Sequence, residues 1–153
     1  MTDDIICNIM RLWHQSLIQH LDNKRLLGQH RECCALRGKG WGKKHSTVDY
    51  VFKYDLAHLY EYHCLVMGEM LRRNYHVDEQ WYLRTFRGKT LRQSTLLEVG
   101  TYVLHGGDLA VYPEHNDTYL KECLLNLQSK GAELINGTCI SEQLLKLAIE
   151  GRA

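Results

Sequence analysis

A glutamate within a basic stretch of the chain has the clearest capacity for chemistry. Glu32 follows Arg31, and both lie within residues 10–45, which contain eight lysines and arginines against two acids. A carboxyl group can accept and return protons during a reaction, and lysine and arginine side chains bind phosphate oxygens. The charge pattern fits a surface for a polyanion with a carboxyl group beside it, and it fits equally a solvated basic surface that binds nothing.

A helix over residues 22–36 is expected to position this pair. Apolar side chains recur there with the spacing of one helix face, Asp22 or Asn23 can cap the start, and Gly38 can end the helix. The pair then lies at the rim of the apolar face, towards a cleft or water. An ordinary surface ion pair is the alternative interpretation of the same two residues.

The segment that follows, residues 38–45, is typical of a flexible basic loop. It holds three glycines and three lysines around Trp41, a composition that favours turns. Backbone amides and lysines suit phosphate oxygens, and an exposed Trp41 ring could stack on a nucleic-acid base. The alternative is a surface turn whose tryptophan packs back onto the core. The lysines of this loop are Lys39, Lys43 and Lys44.

The remaining pattern indicates an all-α fold, a mainly helical single domain of residues 10–153. A short extended segment is expected near residues 96–104, where β-branched and aromatic side chains are mixed. His63 falls on an apolar helix face, where a hydrogen-bonded core histidine is the expectation. Further helices are predicted over residues 55–75, 78–86, 116–130 and 141–150.

Composition excludes several classes of protein. The 153 residues are 44% apolar and 24% charged, as in ordinary globular proteins and unlike disordered or membrane chains. The chain has no run of about 18 apolar residues and no basic stretch at its start, so a cytoplasmic location is expected. Six cysteines without CxxC spacing are interpreted as reduced thiols.

Three segments carry a resemblance to a known family. They are Met10-Arg11-Leu12-Trp13, the Arg31-Glu32 pair, and the amphipathic stretch 52–75 with its end Leu71-Arg72-Arg73-Asn74-Tyr75. Over residues 10–90 the chain resembles bacterial relatives of the phage pyrimidine-dimer DNA glycosylases. The resemblance implies a DNA-repair glycosylase and abasic-site lyase that acts on damaged, double-stranded DNA without a cofactor.

The resemblance also implies chemical roles. Members of this family attack the sugar C1′ with the amine at the start of the chain, which forms an imine, and a helix glutamate then supports ring opening and β-elimination. Glu32 is expected to be that glutamate, and Met10 is expected to supply the amine. Arg11 and Arg31 are expected to bind phosphate.

The start of the chain decides whether Met10 can act in this way. Nine residues precede it, and we expect them to be an extension, so that translation from Met10 exposes an α-amine with a pKa of about 7.7–8.0. With the extension present, Lys43 or Lys44 would have to supply the amine, which requires desolvation. The chain also departs from the family at Ala35, where the phage enzymes carry an arginine, and in lacking their aromatic C-terminal tail.

Two other functions fit the same residues. A nucleic-acid-binding protein without catalysis would place the same basic side chains on phosphates, with an affinity that depends on salt. A metal-dependent hydrolase would draw on the nine histidines, since three histidines can hold a catalytic zinc, but their spacing contains no metal-binding motif. The first alternative uses Arg11, Arg31, Lys39, Trp41, Lys43 and Lys44, and the second uses His14, His30, His45 and His63.

Overall fold

Helices form all the regular structure in the part of the chain that this computed structural model describes, residues 11–43, 48–105 and 110–150. The predicted all-α class is therefore confirmed. Among these residues no helix has the length and apolar character that a membrane span requires. Met10, Lys44, His45 and the predicted extension lie outside the described residues. The α-helices are α1 (Asn23–Arg37), α2 (Leu56–Arg72), α3 (Leu96–Val99), α4 (Asp117–Ser129) and α5 (Ile140–Glu150), and 3-10 helices cover Gln15–His20, Asp49–Lys53 and Glu79–Tyr82.

Caps fix both ends of α1. The Asp22 carboxylate accepts a hydrogen bond from the Arg25 N–H at 2.9 Å, which satisfies one of the amide donors that a helix start leaves free. At the other end the Gly38 N–H donates to two carbonyl oxygens of the last turn. The predicted helix over residues 22–36, with its cap and its end, is confirmed.

The core lies around α1 and α2, which pack against each other. The segment before α1 contributes Leu12 and Leu17, and α4 contributes Leu124 and Leu127. Burying each such side chain stabilises the fold by about 1.5–3 kcal/mol. Segments from opposite ends of the described chain therefore share a core with α1, and this arrangement brings both of them to the helix that carries Glu32.

The segment over residues 96–104 differs from its prediction. Residues 96–99 form α3 instead of an extended strand, and the rest of the segment has no regular structure. The cause is a capping box: the Thr95 hydroxyl accepts from the Glu98 N–H, and the Glu98 carboxylate accepts from the Thr95 N–H. This reciprocal pair favours a helical turn and outweighs the β-propensity of the side chains that follow.

Of the remaining helix predictions, all but one are confirmed for the described residues. Helices α4 and α5 occupy the stretches predicted at 116–130 and 141–150, whereas the helix predicted over 78–86 shortens to the 3-10 turn Glu79–Tyr82. The five described cysteines are free. His63 is fully buried and hydrogen-bonded, as expected for a core histidine.

Candidate active site

A pocket of about 240 Å³ opens along α1 beside Glu32. Four of the eight residues that line it are lysine or arginine, and Glu32 is the one acid among those eight. The pocket therefore suits a ligand that carries phosphate, because the surrounding cations set a positive potential. The lining residues are Trp13, Lys24, Arg25, Gly28, Gln29, Arg31, Glu32 and Lys130.

Glu32 is a buried carboxyl group with an unpaired oxygen. The residue is 4% exposed, and within the described part of the chain its Oε2 has no hydrogen-bond partner. Burial raises the pKa of Glu32 to about 10, and the positive charges of Arg11 and Lys130 oppose this rise. Glu32 therefore carries its proton at neutral pH and can donate it to a ligand. This burial excludes the alternative of an ordinary surface pair.

Gln29 holds the segment before α1 against this pocket. Its Oε1 accepts from the Trp13 N–H at 2.6 Å, and its Nε2 donates to the Arg11 carbonyl oxygen at 2.9 Å. The Tyr62 hydroxyl donates to the Trp13 carbonyl oxygen at 2.5 Å and lies 3.0 Å from the same Oε1. Because Gln29 lies one turn before Glu32, these bonds hold Arg11 on the side of α1 that bears the carboxyl group.

Two cations flank the Trp13 ring at the pocket. The Arg11 Cζ and the Lys130 Nζ each lie 5.7 Å from its centroid, a distance at which an aromatic ring attracts positive charge. Desolvation lowers the pKa of Lys130. Repulsion from Arg11 and Arg25 acts in the same direction, and only an ionised Glu32 would act against it. Lys130 therefore loses its proton more readily than a fully solvated lysine does.

Lys130 comes from the C-terminal third of the chain, where the sequence predicted no site residue. It follows directly after α4, and the Tyr119 hydroxyl near the start of α4 donates to the Leu12 carbonyl oxygen, 107 positions away in sequence. No local sequence pattern predicts a contact between residues so far apart in the chain. Gln29 did carry a signal, since a glutamine on the same helix face as Leu26 must find buried partners.

The predicted DNA-binding loop lies outside the pocket. Lys39 and Lys43 are exposed, and neither they nor Trp41 are among the pocket's lining residues. The Trp41 ring is half-buried and packs edge-on against Phe52, with 5.1 Å between the centroids. Of the described residues predicted for the site, the structure thus gathers Arg11, Arg31 and Glu32, and the role of the loop stays a prediction.

A second polar group of side chains, here called the histidine cluster, consists of His30, Cys34, Arg37 and His63. At 100° per residue its α1 members lie on the helix face opposite Glu32. The ligand atoms of the two histidines and Cys34 fall within 4.8 Å of one another, a spacing that could hold a metal ion. Whether these side chains can bind a metal ion depends on which of their ring nitrogens carry a proton.

Arg37 fixes those protonation states. Its Nη1 lies 2.8 Å from the His63 Nδ1, and a guanidinium only donates, so Nδ1 must accept. The neutral His63 ring then carries its proton on Nε2, which donates to the His30 Nδ1 at 2.9 Å. A protonated nitrogen has no free electron pair for a metal, so this arrangement does not fit a histidine–metal hydrolase.

Arg37 also ties the histidine cluster to the chain after α2. Its side chain is buried, and it donates to the carbonyl oxygens of Trp81 and Leu83, each at 2.9 Å. The Arg37 Cζ lies 5.1 Å from the Trp81 ring centroid. None of the described buried atoms without a hydrogen bond belongs to this cluster, which is therefore a satisfied structural unit.

Comparison with known proteins bears on the N-terminal half of the chain. Searches of curated proteins and of solved structures gave no match. Residues 10–83 match the model of a family described as pyrimidine dimer DNA glycosylase. The matched stretch contains α1 and α2 and, with them, all of the pocket's lining residues except Lys130. Over residues 10–83 the chain is therefore similar to the pyrimidine dimer DNA glycosylase family.

Proposed function

We propose that the protein is a DNA-repair glycosylase and abasic-site lyase that forms an imine with C1′ of deoxyribose. The observation that carries this proposal is Glu32, a buried and protonated carboxyl group with an unpaired oxygen in a cationic pocket. A buried polar atom without a partner costs stability, and its presence is explained where a ligand supplies the partner. The family match supports a DNA-repair glycosylase in general.

Glu32 acts first as an acid and then as a base in this mechanism. A neutral amine attacks C1′, the bond from C1′ to the base breaks, and the base takes a proton from the amine nitrogen. The C1′–O4′ bond then opens, O4′ takes the Glu32 proton, and a protonated imine remains. The Glu32 carboxylate next removes a proton from C2′, and the bond from C3′ to the phosphate oxygen breaks. Glu32 ends this sequence protonated, as it began.

Met10 is proposed to supply the amine in a chain that starts at that residue. The hydrogen bond from Gln29 to the Arg11 carbonyl oxygen supports this assignment, because it holds the next residue of the chain beside Glu32. An α-amine with a pKa of about 7.7–8.0 is partly neutral at pH 7 without being deeply buried. The nucleophile and the carboxyl group would then come from adjoining segments.

Double-stranded, damaged DNA is the proposed partner. Arg11 and Arg31 are proposed to hold phosphates. The lesion is expected to be flipped out of the DNA helix, because its C1′ is otherwise inaccessible. The positions proposed to bind the strand beyond the pocket are Lys39, Trp41, Lys43 and Lys44.

Borohydride trapping tests the proposed chemistry. A form that starts at Met1 and a form that starts at Met10 are each mixed with duplex DNA that carries one abasic site or one pyrimidine dimer. Sodium borohydride reduces an imine to a stable amine, so we expect a covalent protein–DNA product with damaged duplex and none with undamaged duplex. Glu32→Gln is expected to reduce strand cleavage, and Glu122→Gln, which alters an exposed carboxyl group on α4, is the matched control.

The same experiment separates this function from DNA binding without catalysis. If neither form yields a covalent product and Glu32→Gln leaves cleavage unchanged, the lyase proposal is wrong. Salt-dependent binding without any covalent product would then assign the cationic pocket to phosphate binding alone.

A further inference from the structure

Lys130 places a primary amine in the same pocket as Glu32. It lies at the C-terminal end of α4, where its N–H donates to the carbonyl oxygens of Asn126 and Leu127. The next residue, Gly131, has a φ of +70°, a backbone conformation that glycine adopts without strain. The helix end thereby fixes the Lys130 backbone, and its Nζ extends to within 5.7 Å of the Trp13 ring centroid.

The surroundings of this amine make it less basic than a fully solvated lysine. Desolvation and repulsion from Arg11 and Arg25 lower the pKa of Lys130. A lysine acts as a nucleophile only when it is deprotonated, and a neighbouring cation is one of the known ways to achieve this. Lys43, by contrast, does not line the pocket.

Met10 cannot serve as the nucleophile wherever a residue precedes it. Its nitrogen is then part of a peptide bond, and the electron pair of a peptide nitrogen is delocalised into the carbonyl group. The 153-residue chain has nine residues before Met10. In that chain the pocket still contains Glu32 and a lysine amine.

We propose that in the chain that begins at Met1 the ε-amine of Lys130 attacks C1′ and carries the imine. This inference rests on the proposed function. At an abasic site the Nζ–C1′ bond forms, the C1′ oxygen leaves as water after taking up the proton of Glu32 and one proton of the amine, and a protonated imine remains.

Mapping the trapped product tests the assignment. The 153-residue protein is incubated with duplex DNA that carries a single abasic site, reduced with sodium borohydride, digested and analysed by mass spectrometry. We expect the reduced sugar adduct on Lys130. Lys130→Arg keeps the positive charge and removes the nucleophile, so we expect at least a tenfold lower yield of covalent product with unchanged affinity for the duplex. Lys121→Arg, the same change on exposed α4 surface, is expected to leave the yield unchanged.

The outcomes separate this inference from the proposed function. An adduct on the α-amine, on Lys24 or on Lys43 would overturn the role of Lys130 and leave imine chemistry standing. No adduct at any position would overturn both. Circular dichroism checks the fold of Lys130→Arg, and if that variant does not fold, the site of the adduct on the unsubstituted protein decides the question.

Discussion

The two polar groups of side chains on opposite faces of α1 differ in how completely they are satisfied. In the histidine cluster, Arg37 donates to His63, and His63 donates to His30. Arg37 also donates to backbone carbonyl oxygens. On the other face Glu32 is equally well buried, yet its Oε2 has no described partner and cations surround it. The polar atoms of the histidine cluster find their hydrogen-bond partners within the fold, whereas the Glu32 Oε2 needs a ligand as its partner.

This difference indicates which of the two buried polar groups is the candidate for function. Both contain titratable side chains with shifted pKa values, and the histidine cluster also has the spacing of a metal site. Shifted pKa values arise in structural networks as well as in active sites. The unpaired atom and the adjoining pocket, rather than the pKa shift, set Glu32 apart.

Replacing Glu32 is expected to have the largest effect on activity. Glu32→Gln keeps the shape of the side chain and removes its proton transfer, which typically contributes a factor of about 10²–10⁴ to a rate. We expect single-turnover cleavage of an abasic duplex to slow by that factor while the Kd for the duplex changes by less than about threefold.

If Glu32→Gln weakened binding of the duplex and slowed cleavage by similar factors, the functional contrast between Glu32 and the histidine cluster would be wrong. It would mean that Glu32 supports the fold in the way that the histidine cluster does. Cleavage rates and gel-shift affinities measured on the same preparations distinguish the two cases.

Replacing Arg37 is expected to have the largest effect on stability. Arg37→Met removes the donor of the buried His63 Nδ1 and of the partly buried Trp81 carbonyl oxygen. An unsatisfied buried group costs about 1–3 kcal/mol, so we expect a loss of about 2–6 kcal/mol. Urea denaturation measures this change. Arg92→Met, which removes an exposed pairing with Glu98, is the control, with an expected change below about 1 kcal/mol. A loss for Arg37→Met no greater than that of the control would contradict the structural role.

The two groups are expected to give opposite dependences of stability on pH. Burial keeps the pKa of His63 well below 6.5, so only the unfolded chain gains a proton there as the pH falls below about 6.5, and stability decreases in acid. Burial raises the pKa of Glu32 to about 10 from 4.5. The unfolded chain therefore loses that proton first, and stability decreases as the pH rises from 4.5 towards 10.

Glu32→Gln should abolish the decrease in stability at rising pH and leave the decrease in acid, which His63 causes, unchanged. Each unit of pKa difference corresponds to about 1.4 kcal/mol, so the gain in stability of the variant over the unsubstituted protein should grow from pH 6.5 to pH 8.5. Unfolding free energies at pH 5, 6.5 and 8.5 measure both slopes. An alkaline slope that persists unchanged in the variant would show that Glu32 is not protonated in the folded protein.

Replacing Arg31 is expected to have the smallest effect. This exposed residue at the pocket rim is proposed to contact one phosphate, so Arg31→Gln should weaken binding a few-fold on any sequence and reduce the salt dependence by about one counterion. Affinities at several salt concentrations measure this slope. If the salt dependence of the affinity did not change in Arg31→Gln, the proposed contact of Arg31 with a phosphate would be wrong.

The helix that carries Glu32 could be predicted from the sequence because its signals are local. The Asp22 cap, the apolar spacing and Gly38 all fall within the helix or beside it. A signal of the same kind exists for α3, where Thr95 and Glu98 have the spacing of a capping box. The β-propensity of residues 96–104 alone does not reveal this helical turn.

The burial of Glu32 and the place of Lys130 could not be predicted in this way. Glu32 was placed at the rim of the helix, and its burial depends on how the segment of Trp13 and the end of α4 approach α1. Lys130 is 98 positions from Glu32 in sequence and lies in a turn after α4. Contacts of this range follow from tertiary packing, which residue spacing does not encode.

The hydrogen bond from Tyr119 to the Leu12 carbonyl oxygen spans the boundary of the family match at residue 83. One wall of the pocket therefore comes from the matched stretch, and Lys130 on the other wall comes from outside it. A hybrid that kept residues 10–83 and received another C-terminal part would retain Glu32 and exchange the side chain at position 130. A substitution at position 130 can thus alter the pocket while the helix that bears the carboxyl group stays unchanged.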